Sequence, residues 1–188
     1  MNDSQKLDNS DIEGLVKASQ SRDRGAFDEL VRLYQNRAMS VAVRILGRSG
    51  EAAEAAQDAF VKAYLSINKL KEPKQFEIWL LRIVANAAID RRRVASRRLE
   101  KIKITDCNVE DKNAVSPIDK EIRKELRDAI AAAMLKLSKK EAKAIALFGF
   151  EDLSHKEVAQ IIDCSAGAAK WYVFRARQKL KVLLKDYL

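Results

Sequence analysis

Apolar residues recur along this chain at helical spacing, three or four positions apart, and long alternation of the β type is absent. From Ser10 or Asp11 the pattern places Ile12, Leu15 and Val16 on one side. From about Arg24 it gathers Phe27, Leu30, Val31 and Tyr34, and it continues through Met39, Val43 and Leu46 until Gly47 and Gly50 break it. Glu51 to Leu65 predicts a third helix, with Phe60 and Tyr64 apolar and Glu54, Gln57 and Asp58 on a polar face. Asn68 to Gln75 reads as a loop, because Pro73 stops a helix and its neighbours are polar. Another helix opens near Phe76. Trp79, Ile83 and Ala87, with Leu80 beside them, make its apolar stripe; Arg82 and Asn86 lie on a more polar face, and Arg91 to Arg93 close it.

Between Ala95 and Lys120 the periodicity fails. The segment begins basic, turns acidic at Asp106, Glu110 and Asp111, and contains Ser116-Pro117, the pattern of a linker. The expected architecture is therefore all-α: two small helical domains, residues 10–95 and 119–188, joined by a flexible linker over 96–118. In the second domain Ile122, Leu126, Ile130, Ala133 and Leu137 share one side of the first helix. Ser138 with Glu141, and Ser154 with Glu157, then form two capping boxes, in which hydroxyl and carboxylate satisfy orphan amides reciprocally. A short helix from Ser154 to Ile162, the tight connection Asp163-Cys164-Ser165 and a longer helix from Ala166 give the layout of a helix-turn-helix. Val158, Ala159, Ile162, Ala169, Val173, Ala176 and Leu180 form its predicted seam, with Lys170, Trp171, Phe174 and Arg175 facing outward.

Composition narrows the chemistry. Six glycines and two prolines in 188 residues agree with an all-helical chain. A net charge of +9 calls for an acidic partner, nucleic acid ahead of an anionic membrane. The polar, acidic start MNDSQKLDNSDIEG has no signal or transit pattern, and no apolar run reaches membrane-spanning length, so a cytoplasmic location is expected. Cys107 and Cys164 stand apart without a CxxC partner, and His155 is the lone histidine. With no nucleophile–base set, metal spacing or glycine-rich phosphate loop, the chain is expected to hold no catalytic residue, metal, cofactor or small-molecule substrate.

Two regions suit nucleic acid. In the helix-turn-helix, the start of the longer helix can enter the major groove, where base edges are distinguishable, while Gly167 and the free amides beside Ser165 can approach phosphate. A basic amphipathic helix that merely solvates its charges is the competing account; the caps and the short turn favour the groove. Earlier in the chain, Arg91, Arg92 and Arg93 can neutralise phosphates without reading sequence, and Asn86, one turn before Asp90, can contact base or backbone. Trp79 fits a core better than a stacking platform. The loop with Asn68, Lys69 and Lys71 can cup an extruded base or be a plain solvated connection. Glu54, Gln57 and Asp58 do not suit DNA; they suit a basic protein partner, or simply water.

Together these segments resemble the bacterial extracytoplasmic-function (ECF) sigma factors, a two-domain group of the sigma-70 family. EAAEAAQDAFVKAY resembles the family's core-polymerase-binding helix, FEIWLLRIVANAAIDRRR its minus-ten reading and melting segment, and LSHKEVAQIIDCSAGAAKWYVFRARQKL its minus-thirty-five helix-turn-helix. The resemblance spans nearly the whole chain except the linker and the extreme N-terminus. It implies a promoter-specificity subunit of RNA polymerase, held silent by an anti-sigma factor. Glu54, Gln57 and Asp58 would dock on the clamp helices of the largest subunit, and the C-terminal domain on the flap of the second-largest. Asn68, Lys69, Lys71, Arg82, Asn86, Asp90 and Arg91–Arg93 would meet the minus-ten strand of promoter DNA. Ser165, Gly167, Lys170, Trp171, Phe174 and Arg175 would face the minus-thirty-five duplex. Ala53, Ala55 and Ala56 replace residues more usual in the docking helix, and Trp171 and Tyr172 stand where the family usually has a small polar residue and an arginine. A stand-alone helix-turn-helix regulator would leave both N-terminal motifs unexplained, and a sigma mimic that only titrates an inhibitor has no need of Arg91–Arg93 and Arg175.

Overall fold

The computed structural model describes residues 9–101, 117–149 and 153–187, and among them every regular element is helical. The α-helices are α1 (Asn9–Gln20), α2 (Arg24–Leu46), α3 (Ser49–Ser66), α4 (Phe76–Lys101), α5 (Pro117–Leu135), α6 (Lys139–Phe148), α7 (His155–Ile162) and α8 (Ala166–Leu183). Short 3-10 turns, Ile67–Lys69 and Pro73–Gln75, occupy the segment between α3 and α4 that reads as a loop, and a third, Lys185–Tyr187, follows α8. No helix among the described residues is long and apolar enough to cross a membrane.

Helices α2, α3 and α4 pack on one another, with α1 laid against α2 and the 3-10 turns. Asp23 caps α2, accepting from Ala26 N at 3.2 Å, a bond worth about 1 kcal/mol. Gly47 ends α2 in the left-handed conformation at φ 73°. Gly50 does not break the chain as expected: it lies in the first turn of α3, where helix geometry asks nothing special of it. α3 turns five alanines inward, Ala52, Ala55, Ala56, Ala59 and Ala63, so its neighbours approach closely. The stripe on α4 is rotated from the sequence reading. Phe76, Leu80, Leu81, Val84, Ala85 and Ala88 form the fully buried face, whereas Trp79 and Ile83 pack at its edge, half-buried. The Trp79 ring lies 6.0 Å from that of Phe76, so it belongs to the core as expected. α4 continues through Lys101, into the segment read as linker, and α5 begins at Pro117. The acidic patch at Asp106, Glu110 and Asp111 lies outside the described residues, as does Cys107.

α6, α7 and α8 form the second bundle, with α5 alongside α8. Both capping boxes close as the sequence predicts, Ser138 with Glu141 and Ser154 with Glu157. Asp163 adopts φ 55° at the end of α7, which lets Cys164 N bond back to Ala159 O at 3.0 Å and reverses the chain within three residues. The predicted seam of Val158, Ala159, Ile162, Ala169, Val173 and Ala176 is buried, with Leu180 packed partly against it. α5 differs: Ala131, Ala133 and Met134 are buried, as is Leu137 just beyond its end, while Leu126 and Ile130 face outward. The reason is that α5 packs its last turns against α2 of the first bundle as well as against α8. The two bundles therefore touch, α2 against α5 and α6, and α4 against α6 and α7. At the tightest point Gly47 meets α5: a Cβ on Gly47 would fall 2.2 Å from Ala131 Cβ.

Candidate polymerase and promoter interfaces

On the outer side of α3, Glu54, Gln57 and Asp58 are exposed, and Val61 and Leu65 continue the same stripe with 55% and 77% of their surface open. Large apolar side chains left open beside acids are compatible with a protein-binding face. The sequence reading missed Val61 and Leu65, although they stand three or four residues from Gln57 and Asp58 and one further turn on. Ala55 and Ala56 point into the bundle and take no part in this face; Ala53 is exposed. Arg91 of α4 reaches across to α3, pairing with Glu54 and with Asp58 at 2.6 Å, and the Asp58 bond in particular reinforces its positive charge. Arg91 thus sits with the acidic residues rather than with the other arginines.

The second bundle makes polar contacts along the face of α4 that carries Arg82 and Asn86, which stay exposed. Arg82 donates to the carbonyl of Gln160 on α7, and Lys143 of α6 donates to Asn86 Oδ1. Burial pulls the Lys143 ammonium below its usual range, with Asp90 nearby working the other way. Arg92 is turned inward, 7% exposed, and its guanidinium donates to Met134 O and Leu137 O at 3.0 Å each. A cation on the carbonyls at the end of α5 is favoured by the helix dipole, while burial lowers the Arg92 pKa. In this arrangement Arg92 closes a helix end instead of facing phosphate; Asp90 and Arg93 remain exposed. A cleft of about 530 Å³ opens beside Arg82, lined also by Gln75, Lys156, Gln160 and Cys164. Burial pushes the Cys164 thiol up, which disfavours the reactive thiolate.

Asn68, Lys69 and Lys71 are exposed on the turn before α4. Gln20 at the end of α1 anchors that turn, its amide donating to Ile67 O at 3.1 Å and Leu70 O at 2.8 Å. Nothing in the periodicity of α1 singles Gln20 out.

α8 presents the other basic face. Ser165 caps it, accepting from Ala168 N at 3.2 Å, and Gly167 has open space around its Cα. Lys170, Trp171 and Phe174 are exposed, the last at 61%. Arg175 lies over the Trp171 ring at 4.9 Å, a cation–π contact, and Tyr172 is half-buried edge-on to Trp171. The backbone amides at the start of the helix and this cluster of side chains share one open surface. Among the described residues no group of acids, histidines or cysteines could hold a metal ion.

An exposed acidic–apolar stripe, a basic face on α4 and a helix-turn-helix in one small chain suit a protein that binds both nucleic acid and a protein partner. Comparison with known proteins agrees. Residues 30–98 match the sigma-70 region 2 family and residues 127–180 the sigma-70, region 4 family. The chain is 32% identical over 181 residues to the RNA polymerase sigma-H factor of Pseudomonas aeruginosa, covering 93% of this chain and 94% of that one. It is 30% identical over 184 residues to the ECF RNA polymerase sigma factor SigW of Bacillus subtilis, covering 93% and 97%. In fold it is similar to CnrH, solved in complex with the cytosolic domain of CnrY (TM-score 0.66, 23% identity, 94% and 98% covered). It is also similar to RpoE from Bartonella quintana, solved with the anti-sigma factor NepR (TM-score 0.62, 24% identity, 85% and 96% covered). The chain belongs to the ECF group of the sigma-70 family. It is a factor for promoter-specific transcription initiation and not an enzyme.

Proposed function

We propose that α3 docks on the clamp helices of the polymerase largest subunit through Glu54, Gln57, Asp58, Val61 and Leu65. The observation that carries this reading is the exposed stripe itself, acids and large apolar side chains together on a strongly basic protein. The second bundle rests on the flap of the second-largest subunit. Arg82, Asn86, Asp90, Arg93 and the Asn68–Lys71 turn receive the opened minus-ten strand, with Arg91 held between the docking acids and that face. Ser165, Gly167, Lys170, Trp171, Phe174 and Arg175 meet the minus-thirty-five duplex, amides and lysine on phosphate and Arg175 on a base edge. An anti-sigma factor, the kind of partner with which the Bartonella protein was solved, holds the factor silent in the cytoplasm.

Run-off transcription on genomic fragments with added core polymerase tests the reading. Wild-type protein should give promoter-dependent transcripts that neither component gives alone. Asp58→Arg should weaken core binding at least about tenfold, since it reverses a charge at the docking stripe and also frees Arg91. Core affinity unchanged by that variant would remove α3 from the interface.

A further inference from the structure

Glu141 does more than complete the capping box of α6. The residue is 2% exposed, and its two carboxylate oxygens divide their partners. Oε2 accepts from Ser138 N at 2.8 Å, which completes the cap, and from Lys179 Nζ of α8 at 2.8 Å. Oε1 faces Arg175 Nε of α8 at 3.3 Å. Arg175 is thus held on its inner edge by a buried carboxylate and on one face by the Trp171 ring. About half of the Arg175 side chain remains open. An arginine fixed through Nε presents its two terminal amino groups as a fork, the geometry that reads a pair of acceptors on a base edge.

We infer that Glu141 is a positioning residue for upstream DNA recognition: through Oε1 it sets the guanidinium of Arg175, and through Oε2 it tethers Lys179, on the outward side of α8. The inference rests on the assignment of Arg175 to the minus-thirty-five duplex. Capping alone does not require it, because Oε2 by itself completes the box. Glu157 supplies the internal comparison. It occupies the same place in the α7 capping box, yet the hydrogen bonds that the described residues give it all run to Ser154.

Glutamine separates the two roles, since it too closes a capping box at this position. With its oxygen kept toward Ser138, the Glu141→Gln amide turns an NH₂ group toward Arg175, donor against donor. The test uses holoenzyme reconstituted from core polymerase and the full chain. Its probe is a duplex that the wild-type holoenzyme selects from a pool randomised across the upstream element, together with single-base substitutions of that duplex. Arg175→Ala should lose discrimination at one position, and Glu141→Gln should lose it at the same position, by about tenfold. Glu157→Gln should keep it, and the double variant Glu141→Gln with Arg175→Ala should fare no worse than Arg175→Ala. Glu141→Asp, which keeps the charge but withdraws it by one methylene, should lose less than Glu141→Gln and serves where the latter melts early. Full discrimination in both Glu141 variants, or a Glu141→Gln loss that adds to that of Arg175→Ala, overturns the positioning role. If Arg175→Ala itself discriminates as well as wild type, the assignment beneath the inference falls, and the inference with it.

Discussion

The two basic faces of this protein stand in opposite states. On α8, Lys170, Trp171 and Phe174 are open, and Arg175 is aimed outward by groups of its own bundle. On α4, Arg82, Asn86 and Arg92 are taken up by α5, α6 and α7. The acceptors that hold the α4 arginines are backbone carbonyls at Gln160, Met134 and Leu137, which engage a guanidinium much as phosphate oxygens do. An α8 site is ready whenever the bundle is folded. Under the proposed assignment, Arg82, Asn86 and Arg92 are released for opened strand when the bundles part, so binding through them carries the cost of that separation.

The contact at Arg92 should be the most expensive to break. Arg92→Met keeps the apolar stem and removes the donors, leaving Met134 O and Leu137 O unpaired in a buried place. Each orphaned acceptor costs about 1–3 kcal/mol, so the closed arrangement should give way. Hydrogen exchange should show the end of α5 opening first, and the radius of gyration by X-ray scattering should rise. Unchanged protection of α5 would mean that Arg92 holds nothing.

Ala131→Trp attacks the same junction sterically. Ala131 meets Gly47 so closely that not even a methyl group fits on the glycine. An indole there should cost about 1–3 kcal/mol in overpacking, which shifts the closed-to-open ratio by about 5–150-fold. Scattering should report the expansion, while binding of an upstream duplex through α8 should stay within about twofold of wild type. A fall in duplex binding of the same size as the expansion would show that the two faces are not independent.

How much of this was legible in the sequence depended on whether one element or two decide a residue's place. Capping boxes at Ser138 and Ser154, the Ser165 cap and the seam from Val158 to Ala176 follow from spacing within a single helix or a single turn, and they stand as read. The rotation of the α4 stripe does not: Leu81, Val84 and Ala88 are buried because α2 and α3 lie on that side. Leu126 and Ile130 look like core in a helical wheel, yet α2 draws the burial to Ala131 and Met134 instead. Arg92 shows the limit most plainly. In sequence it is one of three like arginines, and only the arrival of α5 turns it inward while Arg93 stays outside. Glu141 and Glu157 are likewise indistinguishable as capping residues until α8 brings two cations to one of them.

Acid should separate the same two regions with the smallest effect. Hydrogen bonds from Ser154 hold the Glu157 carboxyl below its ordinary range. Burial pushes Glu141 upward, but bonds from Lys179 and Ser138 outweigh it and leave that carboxyl lowered too. Folded values below the roughly 4.3 of an unfolded glutamate mean stabilisation that is complete above that pH and is lost as pH falls through the folded values. The hydrogen bonds between the bundles end on neutral acceptors, three backbone carbonyls and the Asn86 amide, which gain no proton in this range; the carboxylates that face across the junction, Asp90 toward Lys143 and Glu157 toward Arg37, act only through space. From about pH 6 to pH 3 the melting temperature of the second bundle should therefore drop by a few degrees. The radius of gyration, measured below the melt, should stay constant. Glu157→Gln should flatten part of that decline, because its cap no longer depends on a carboxylate. Expansion that tracks the loss of the caps would instead make α6 and α7 part of the clasp on α4, and the open and covered faces would then answer to a single equilibrium.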